Sequence, residues 1–339
     1  MRGEIESGVV RQRLFGRRVS GRVESFCIYA LAKIGDPNSL RPVMQPLVVR
    51  GHDRLARRAT ALALGEFAGA AQPAAQAEAL AHLERLRDPS TRHFACITRG
   101  RMATKKSLSR LLELAEGGRH SERAFAALGL AVPELTNRQY PPGLKEAAIA
   151  KLRELAAASR AYDIKAAYLI ALGAMKDKKA WPLMKRFGGG GKAARSDLLA
   201  HTCLAMGLLG EPKDEVRAFL RKTMGDGSLY VRGCAATGLA YIGDPRDEAL
   251  LLDEFESAKN FGYQGRLAGL MRAVGGAKTR DRCLAILKNR KLPTRTRALA
   301  AAILGEIADP RAVSPLARIA QGYNYRASIA DLDELLFVL

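Results

Sequence analysis

An all-α fold assembled from repeated helix pairs is what this sequence predicts, on three observations. One phrase, Tyr230-Val231-Arg232-Gly233-Cys234-Ala235-Ala236-Thr237-Gly238-Leu239-Ala240-Tyr241-Ile242-Gly243-Asp244-Pro245, recurs in variant form from near residue 20 to near residue 320. The composition is 48% hydrophobic but only 6% aromatic, with 32 glycines, which suits helices packed closely through small residues. No stretch sustains the period-two alternation of β-branched residues that a half-buried strand requires, so almost no strand is expected.

The repeat is measured from a marker three residues before the closing glycine of the phrase. Markers fall at Ala32, Gly65, Gly100, Gly129, Gly173, Gly207, Ala240, Arg272 and Gly305, spaced 33, 35, 29, 44, 34, 33, 32 and 33 residues apart. A period in the low thirties marks stacked supersecondary units. The long gap contains Asn137-Arg138-Gln139-Tyr140-Pro141-Pro142-Gly143, read as a loop insertion, and the short one a trimmed turn near Gly117-Gly118.

Each element follows from local chemistry. Residues 1–21 are basic and glycine-interrupted and are expected to form an N-terminal cap or arm. Leu40, Val43, Met44, Leu47 and Val48 make the apolar stripe of a first helix, and Ala56, Ala59, Leu62 and Ala63 that of a second. Pro42, Pro182 and Pro315 stand early in first helices, where the missing N–H costs little. Gly-Asp-Pro at 35–37 and 243–245, Gly-Glu-Pro at 210–212 and Ala-Asp-Pro at 308–310 end second helices, because glycine accepts the left-handed conformation and proline forbids continuation. Residues 323–339 read as a final capping helix with Asp331, Asp333 and Glu334 in its first turn.

Val231-Arg232-x-x-Ala235-Ala236-x-x-Leu239-x-x-Ile242-Gly243-Asp244-Pro245 and Arg297-Ala298-Leu299-Ala300-Ala301-Ala302-Ile303-Leu304-Gly305, with Asp309-Pro310 beyond, resemble the HEAT-repeat family. The likeness extends to the short HEAT-like repeats seen in phycobilin lyase-type proteins. It implies a right-handed α-solenoid of about nine helix-turn-helix repeats over residues 22–322. It further implies that an arginine near the start of each second helix pairs with an aspartate in the preceding turn. Arg57, Arg92, Lys165, Arg232 and Arg297 each lie eight residues before a marker, and Asp53, Asp88 and Asp226 precede three of them.

The formal charge is +21, from 55 Lys and Arg against 34 Asp and Glu. Such an excess draws anionic partners. Arg57, Arg58, Arg101, Lys105, Lys106, Lys165, Arg232 and Arg297 are the candidate binding residues, with Arg99 and the run Lys288, Arg290 and Lys291 as further basic points. Interleaved aromatics are too sparse for single-strand recognition by stacking, whereas contact with duplex phosphates needs none.

Catalytic signatures are missing. Phe187-Gly188-Gly189-Gly190-Gly191-Lys192 is followed by Ala193 rather than the hydroxyl residue of a phosphate loop, and no strand precedes it. His52, His82, His93, His120 and His201 lie in different repeats with no glutamate following, so neither a metal site nor the iron site of HEAT-type hydroxylases is expected. Trp181 alone is a poor base-stacking platform for a HEAT-like DNA glycosylase. Cys27, Cys96, Cys203, Cys234 and Cys283 are widely separated and read as reduced, buried thiols. The sequence therefore predicts a monomeric, cytoplasmic, non-catalytic scaffold without cofactor, binding a protein partner with acidic segments. The alternative is nucleic-acid binding through phosphates on a basic groove, and after that a HEAT-like lyase or DNA glycosylase.

Overall fold

The computed structural model of the chain describes residues 21–48, 52–67, 78, 81–83, 88–189 and 196–308, and among these the regular structure is entirely helical. The expected N-terminal cap (1–21, but for Gly21) and the C-terminal helix (323–339) lie outside the described residues. So do Pro315, Gly190 and Gly191 of the glycine run, and the Asp309-Pro310 stop.

Two compact units divide the chain, one running to Ala171 and the other starting at Leu172. The first holds α1 (Gly21–Ile34), α2 (Leu40–Val48), α3 (Arg54–Phe67), α4 (Pro89–Met102), α5 (Lys105–Gly117), α6 (His120–Leu135), α7 (Leu144–Ala158) and most of α8 (Tyr162–Ala174). The second holds α9 (Trp181–Gly188), α10 (Ser196–Leu209), α11 (Lys213–Asp226), α12 (Leu229–Ile242), α13 (Glu248–Ser257), α14 (Phe261–Val274), α15 (Ala277–Lys288) and α16 (Thr294–Ala308).

First helices pack on their own second helices, as in α2 on α3, α5 on α6, α11 on α12 and α15 on α16. Second helices also pack on their successors: α1 on α3, α3 on α4 and α4 on α6 in the first unit, and α10 on α12, α12 on α14 and α14 on α16 in the second. This neighbour-to-neighbour order is that of an all-α repeat fold. It explains the second helices' composition, since a helix flanked on several sides is buried nearly all round. Within α12 every residue from Gly233 to Ala240 is buried.

At several marker glycines consecutive second helices approach closely. A Cβ on Gly100 would lie 2.1 Å from the Gly129 carbonyl oxygen, and one on Gly129 would lie 2.5 Å from that of Cys96. In the second unit a Cβ on Gly207 would meet the Gly238 backbone at 2.3 Å. At these markers the sequence period is a period of backbone-to-backbone contact, which glycine permits.

The turns behave as their residues dictate. Gly35, Gly210 and Gly243 have φ of 72°, 72° and 65°. The aspartates after Gly35 and Gly243 cap short 3₁₀ turns: Asp36 accepts from the Asn38 N–H at 3.0 Å and Asp244 from the Arg246 N–H at 2.9 Å. The 137–143 insertion is irregular and pinned by the Tyr140 hydroxyl, which donates to the Leu130 carbonyl at 2.7 Å. Only Gly118 and Arg119 separate α5 from α6, the trimmed turn read from the short spacing. Among the described residues no helix is long and apolar enough to cross a membrane.

Candidate functional site

The basic residues singled out from sequence fall into dissimilar places. Arg57 and Arg58 are half-buried in α3, with the Arg58 Nε 4.0 Å from Asp88. Arg101 donates to Glu66, its stem crossing Gly65, where a Cβ would lie 2.8 Å from the Arg101 Cδ. Lys105 and Lys106 are exposed at the start of α5. Lys165 is buried in α8. Arg232 donates to Glu254 and lies 5.6 Å from the centre of the Tyr263 ring, and the Arg297 Nε donates to the Leu287 carbonyl at 3.2 Å.

The expected ladder of arginines with preceding aspartates is corrected at Asp53 and Asp88, while the Asp226 side chain lies outside the described residues. Arg92 engages Glu122, thirty residues on, while the Asp88 carboxylate accepts from the Thr91 N–H at 2.8 Å and its hydroxyl at 2.6 Å. Arg232 engages Glu254, a residue of the following helix. Asp53 accepts from the Leu55 N–H at 2.7 Å. The physical reason is capping: an aspartate ahead of a second helix satisfies the orphan N–H groups of the first turn. The arginines meanwhile reach acids on later helices. Ion pairs between repeats do occur at the markers and one position past them, where Glu66 lies between Lys33 (3.1 Å) and Arg101, and the marker Arg272 reaches Glu306 at 3.4 Å.

What the fold does bring together is a cleft of about 610 Å³ in the first unit, between α4, α5 and the start of α6. Arg92 and Arg99 face it from α4, Arg110 from α5 and Arg119 from the α5–α6 turn. Leu83, Ala95, Cys96 and Leu114 supply apolar wall, and Glu122 is the one carboxylate among the described lining residues.

Each side chain is held for a local reason. Arg92, Ala95, Cys96 and Arg99 are spaced i, i+3, i+4, i+7 and so share one face of α4. Asp88 and Pro89 start that helix, the carboxylate as N-cap and the proline at a position whose N–H needs no partner. Thr104 caps α5, accepting from the Ser107 N–H at 3.1 Å, and so orients Arg110 two turns further on. Glu122 accepts from the Arg119 backbone N–H at 3.2 Å as well as from Arg92. That carboxylate is therefore occupied on both sides.

The electrostatics are uneven. Arg99 is only 3% exposed, whereas Arg110 and Arg119 open to solvent. Arg110 also reaches Glu113 at 2.7 Å, an exposed pair one turn along its own helix. The Arg119 guanidinium has no carboxylate partner among the described residues. Burial pushes the Cys96 thiol up to about 12, so it stays a neutral wall group rather than a nucleophile. Burial likewise holds His93 down to about 4. Its ring stacks on Phe125 at 4.2 Å, with Nε2 2.9 Å from the Ser121 hydroxyl. A recess bearing four guanidinium groups can bind and orient an anion.

Sequence reasoning grouped Arg99 with a basic run and Arg92 with the supposed ladder, and passed over Arg110 and Arg119. The seven-residue spacing of Arg92 and Arg99 around Ala95-Cys96 was the available signal. In comparisons with protein-family models and with curated proteins, none matches this chain.

Proposed function

We propose that the protein is a non-catalytic binding scaffold that engages an acidic protein segment, its helix pairs stacked as a right-handed HEAT-like α-solenoid of about nine repeats acting as a single cytoplasmic chain. The observation that carries this reading is the arginine-lined cleft between α4, α5 and α6. Recessed guanidinium groups suit side chains that project from a partner. A duplex presents its phosphates along a convex rail, which is better met by cations that stand proud of the surface. The neighbour-to-neighbour helix packing also supports a binding role, because repeat arrays expose large surface for their length.

The test is a fluorescence-anisotropy titration of the full chain with a labelled glutamate-rich peptide, its neutral glutamine counterpart, and a short duplex of arbitrary sequence. Binding of the acidic peptide alone is the expected result. Exposed Lys105 and Lys106 favour the nucleic-acid reading. That reading takes precedence if the duplex binds with steep salt dependence and the acidic peptide fails to displace it.

A further inference from the structure

We propose that the edge of the second unit formed by the α11–α12, α13–α14 and α15–α16 turns docks on an anionic lipid bilayer. Lys259, Lys288, Arg290, Lys291 and Arg295 meet the headgroups there, and Leu229 and Phe261 enter the interface. None of these residues lines the arginine cleft, so the acidic-segment reading and this one stand or fall separately.

Helix packing places these groups on one edge. α12, α14 and α16 pack in sequence, so their first turns stand side by side. Two contacts link them: the Arg232 guanidinium of α12 lies 5.6 Å from the centre of the Tyr263 ring of α14, and that of Arg295 in α16 lies 5.4 Å from the Phe261 ring. Ser228 caps α12 by accepting from the Val231 N–H at 3.4 Å, and Asn260 caps α14 by accepting from the Tyr263 N–H at 2.9 Å. Leu229 and Phe261 are therefore the first residues of their helices, and they remain 48% and 47% exposed. A single exposed apolar side chain is ordinary. Here the same position is apolar and open in two successive repeats.

The cations of this edge lack acids. Lys259, Lys288, Arg290, Lys291 and Arg295 are exposed, and none has a carboxylate partner among the described residues. The nearby acids are taken: Glu254 accepts from Arg232 and from the Tyr263 hydroxyl, and Glu256 lies 2.6 Å from Arg282. The side chain of Asp226, at the end of α11, is outside the described residues. At the turns between helix pairs of the same unit the opposite holds, since Arg246 meets Asp214 and Asp244, and Lys213 meets Asp244. The α15–α16 turn is itself ordered: the Lys291 N–H donates to the Asn289 Oδ1 at 3.0 Å and the Leu292 N–H to the Asn289 carbonyl at 3.2 Å. Arg290 and Lys291 are thus held at its tip.

An anionic bilayer answers both features. Its surface potential attracts clustered Lys and Arg, each adding roughly 5-fold to partition. Aromatic and aliphatic side chains lodge at the headgroup boundary. A duplex satisfies the cations but offers nothing to Leu229 and Phe261. An acidic protein segment anchors best where pockets desolvate its side chains, and these groups stand on turns and first helical residues.

The experiment is sedimentation of the full chain with vesicles of phosphatidylcholine and of an equimolar phosphatidylcholine–phosphatidylserine mixture. Anisotropy titrations with a glutamate-rich peptide and a short duplex run alongside. Partition onto the mixed vesicles is expected to exceed that onto phosphatidylcholine at least about 100-fold at low salt. The double variant Arg290→Gln/Lys291→Gln is expected to lower it about 25-fold. Phe261→Ser is expected to lower it about 5-fold, both with unchanged circular-dichroism spectra. Equal partition onto the two vesicles, or none onto either, overturns the proposal. So does a double variant that binds mixed vesicles like the parent, because another surface then supplies the charge. A duplex affinity that falls as far in the double variant, with Phe261→Ser leaving vesicle binding unchanged, gives the edge to nucleic acid and overturns the membrane reading. Loss of peptide binding in the double variant makes the edge the peptide's site and overturns it too. A chain that binds mixed vesicles as expected but no acidic peptide upholds this proposal and removes the acidic-segment reading.

Discussion

The arginine cleft of the first unit and the ionic cluster of the second are built from the same residue types and come to opposite ends. In the second unit Arg217, 5% exposed, donates to the fully buried Asp247 through Nε at 2.8 Å and Nη2 at 3.1 Å. Arg221 reaches the same carboxylate at 2.6 Å. Arg246 holds Asp244 at 2.8 Å and Asp214 at 3.0 Å, and Lys213 lies 3.0 Å from Asp244. Hydrogen bonds from Arg246 hold the Asp244 carboxyl well below the usual carboxylate range. Four cations meet three carboxylates there, and the network knits α11 to the turn before α13. In the first unit four arginines surround a hollow with one carboxylate among its described lining residues. The ion pairs of the second unit tie α11 to the turn after α12, whereas the cleft arginines, of which Arg92 reaches Glu122 and Arg110 reaches Glu113, also line an open recess.

The largest expected effect tests the structural half of that contrast. Asp247→Ala leaves Arg217 buried beside a missing partner and is expected to cost about 3–5 kcal/mol in denaturant unfolding. Arg119→Gln in the cleft is expected to stay within about 0.5 kcal/mol. Equal losses at the two places would erase the distinction.

Acid separates the units next. His93 titrates near 4 in the folded chain against about 6.5 unfolded, so between those values the unfolded state binds more protons and stability falls as pH falls. The loss in the first unit is expected to reach up to about 3 kcal/mol by pH 4. The depressed Asp244 carboxyl acts the same way but later. Its contribution is whole above the ordinary aspartate value of 3.8 and is lost only below it. A pH series of urea melts, with His93→Gln removing the slope above pH 4, checks the order.

Close helix approach should matter in both units alike. Gly129→Ala and Gly207→Ala each force a Cβ into a neighbouring backbone and are expected to cost about 1–3 kcal/mol. Gly269→Ala, exposed in α14 with nothing within 4 Å, is expected to gain up to about 1 kcal/mol from helix propensity. Thermal melts of the three variants decide whether repeat position or mere glycine content sets the stability.

The smallest effect concerns Lys105 and Lys106 in the first turn of α5, where the helix dipole disfavours cations. Replacing either by glutamate is expected to raise stability by about 0.3–1 kcal/mol while weakening acidic-peptide binding. A gain in stability with unchanged binding would remove these lysines from the binding surface.

Much of the helical order was legible because its causes are local or periodic. The Gly-Asp-Pro phrase announces both a left-handed turn at Gly243 and a capping carboxylate at Asp244, and the structure has both. The marker glycines stood out because several repeats place one where the neighbouring backbone comes close, as at Gly100, Gly129 and Gly207. The candidate site was far less legible. Lys165 reads as surface charge and is buried, since α8 is buried on most of its circumference. Arg92 read as the partner of a nearby aspartate and instead reaches Glu122, because capping the helix start claims that aspartate first.

By itself the sequence determined the helices, their ends and their period, since propensity, capping and the spacing of small residues act within a few turns of chain. Only the tertiary structure decided which charges cancel. Arg99, Arg110 and Arg119 are brought to one hollow, and Arg217 and Asp247 to one ion pair, by helix packing that spans whole repeats. An ion's environment depends on what lies within a few ångströms of it in space.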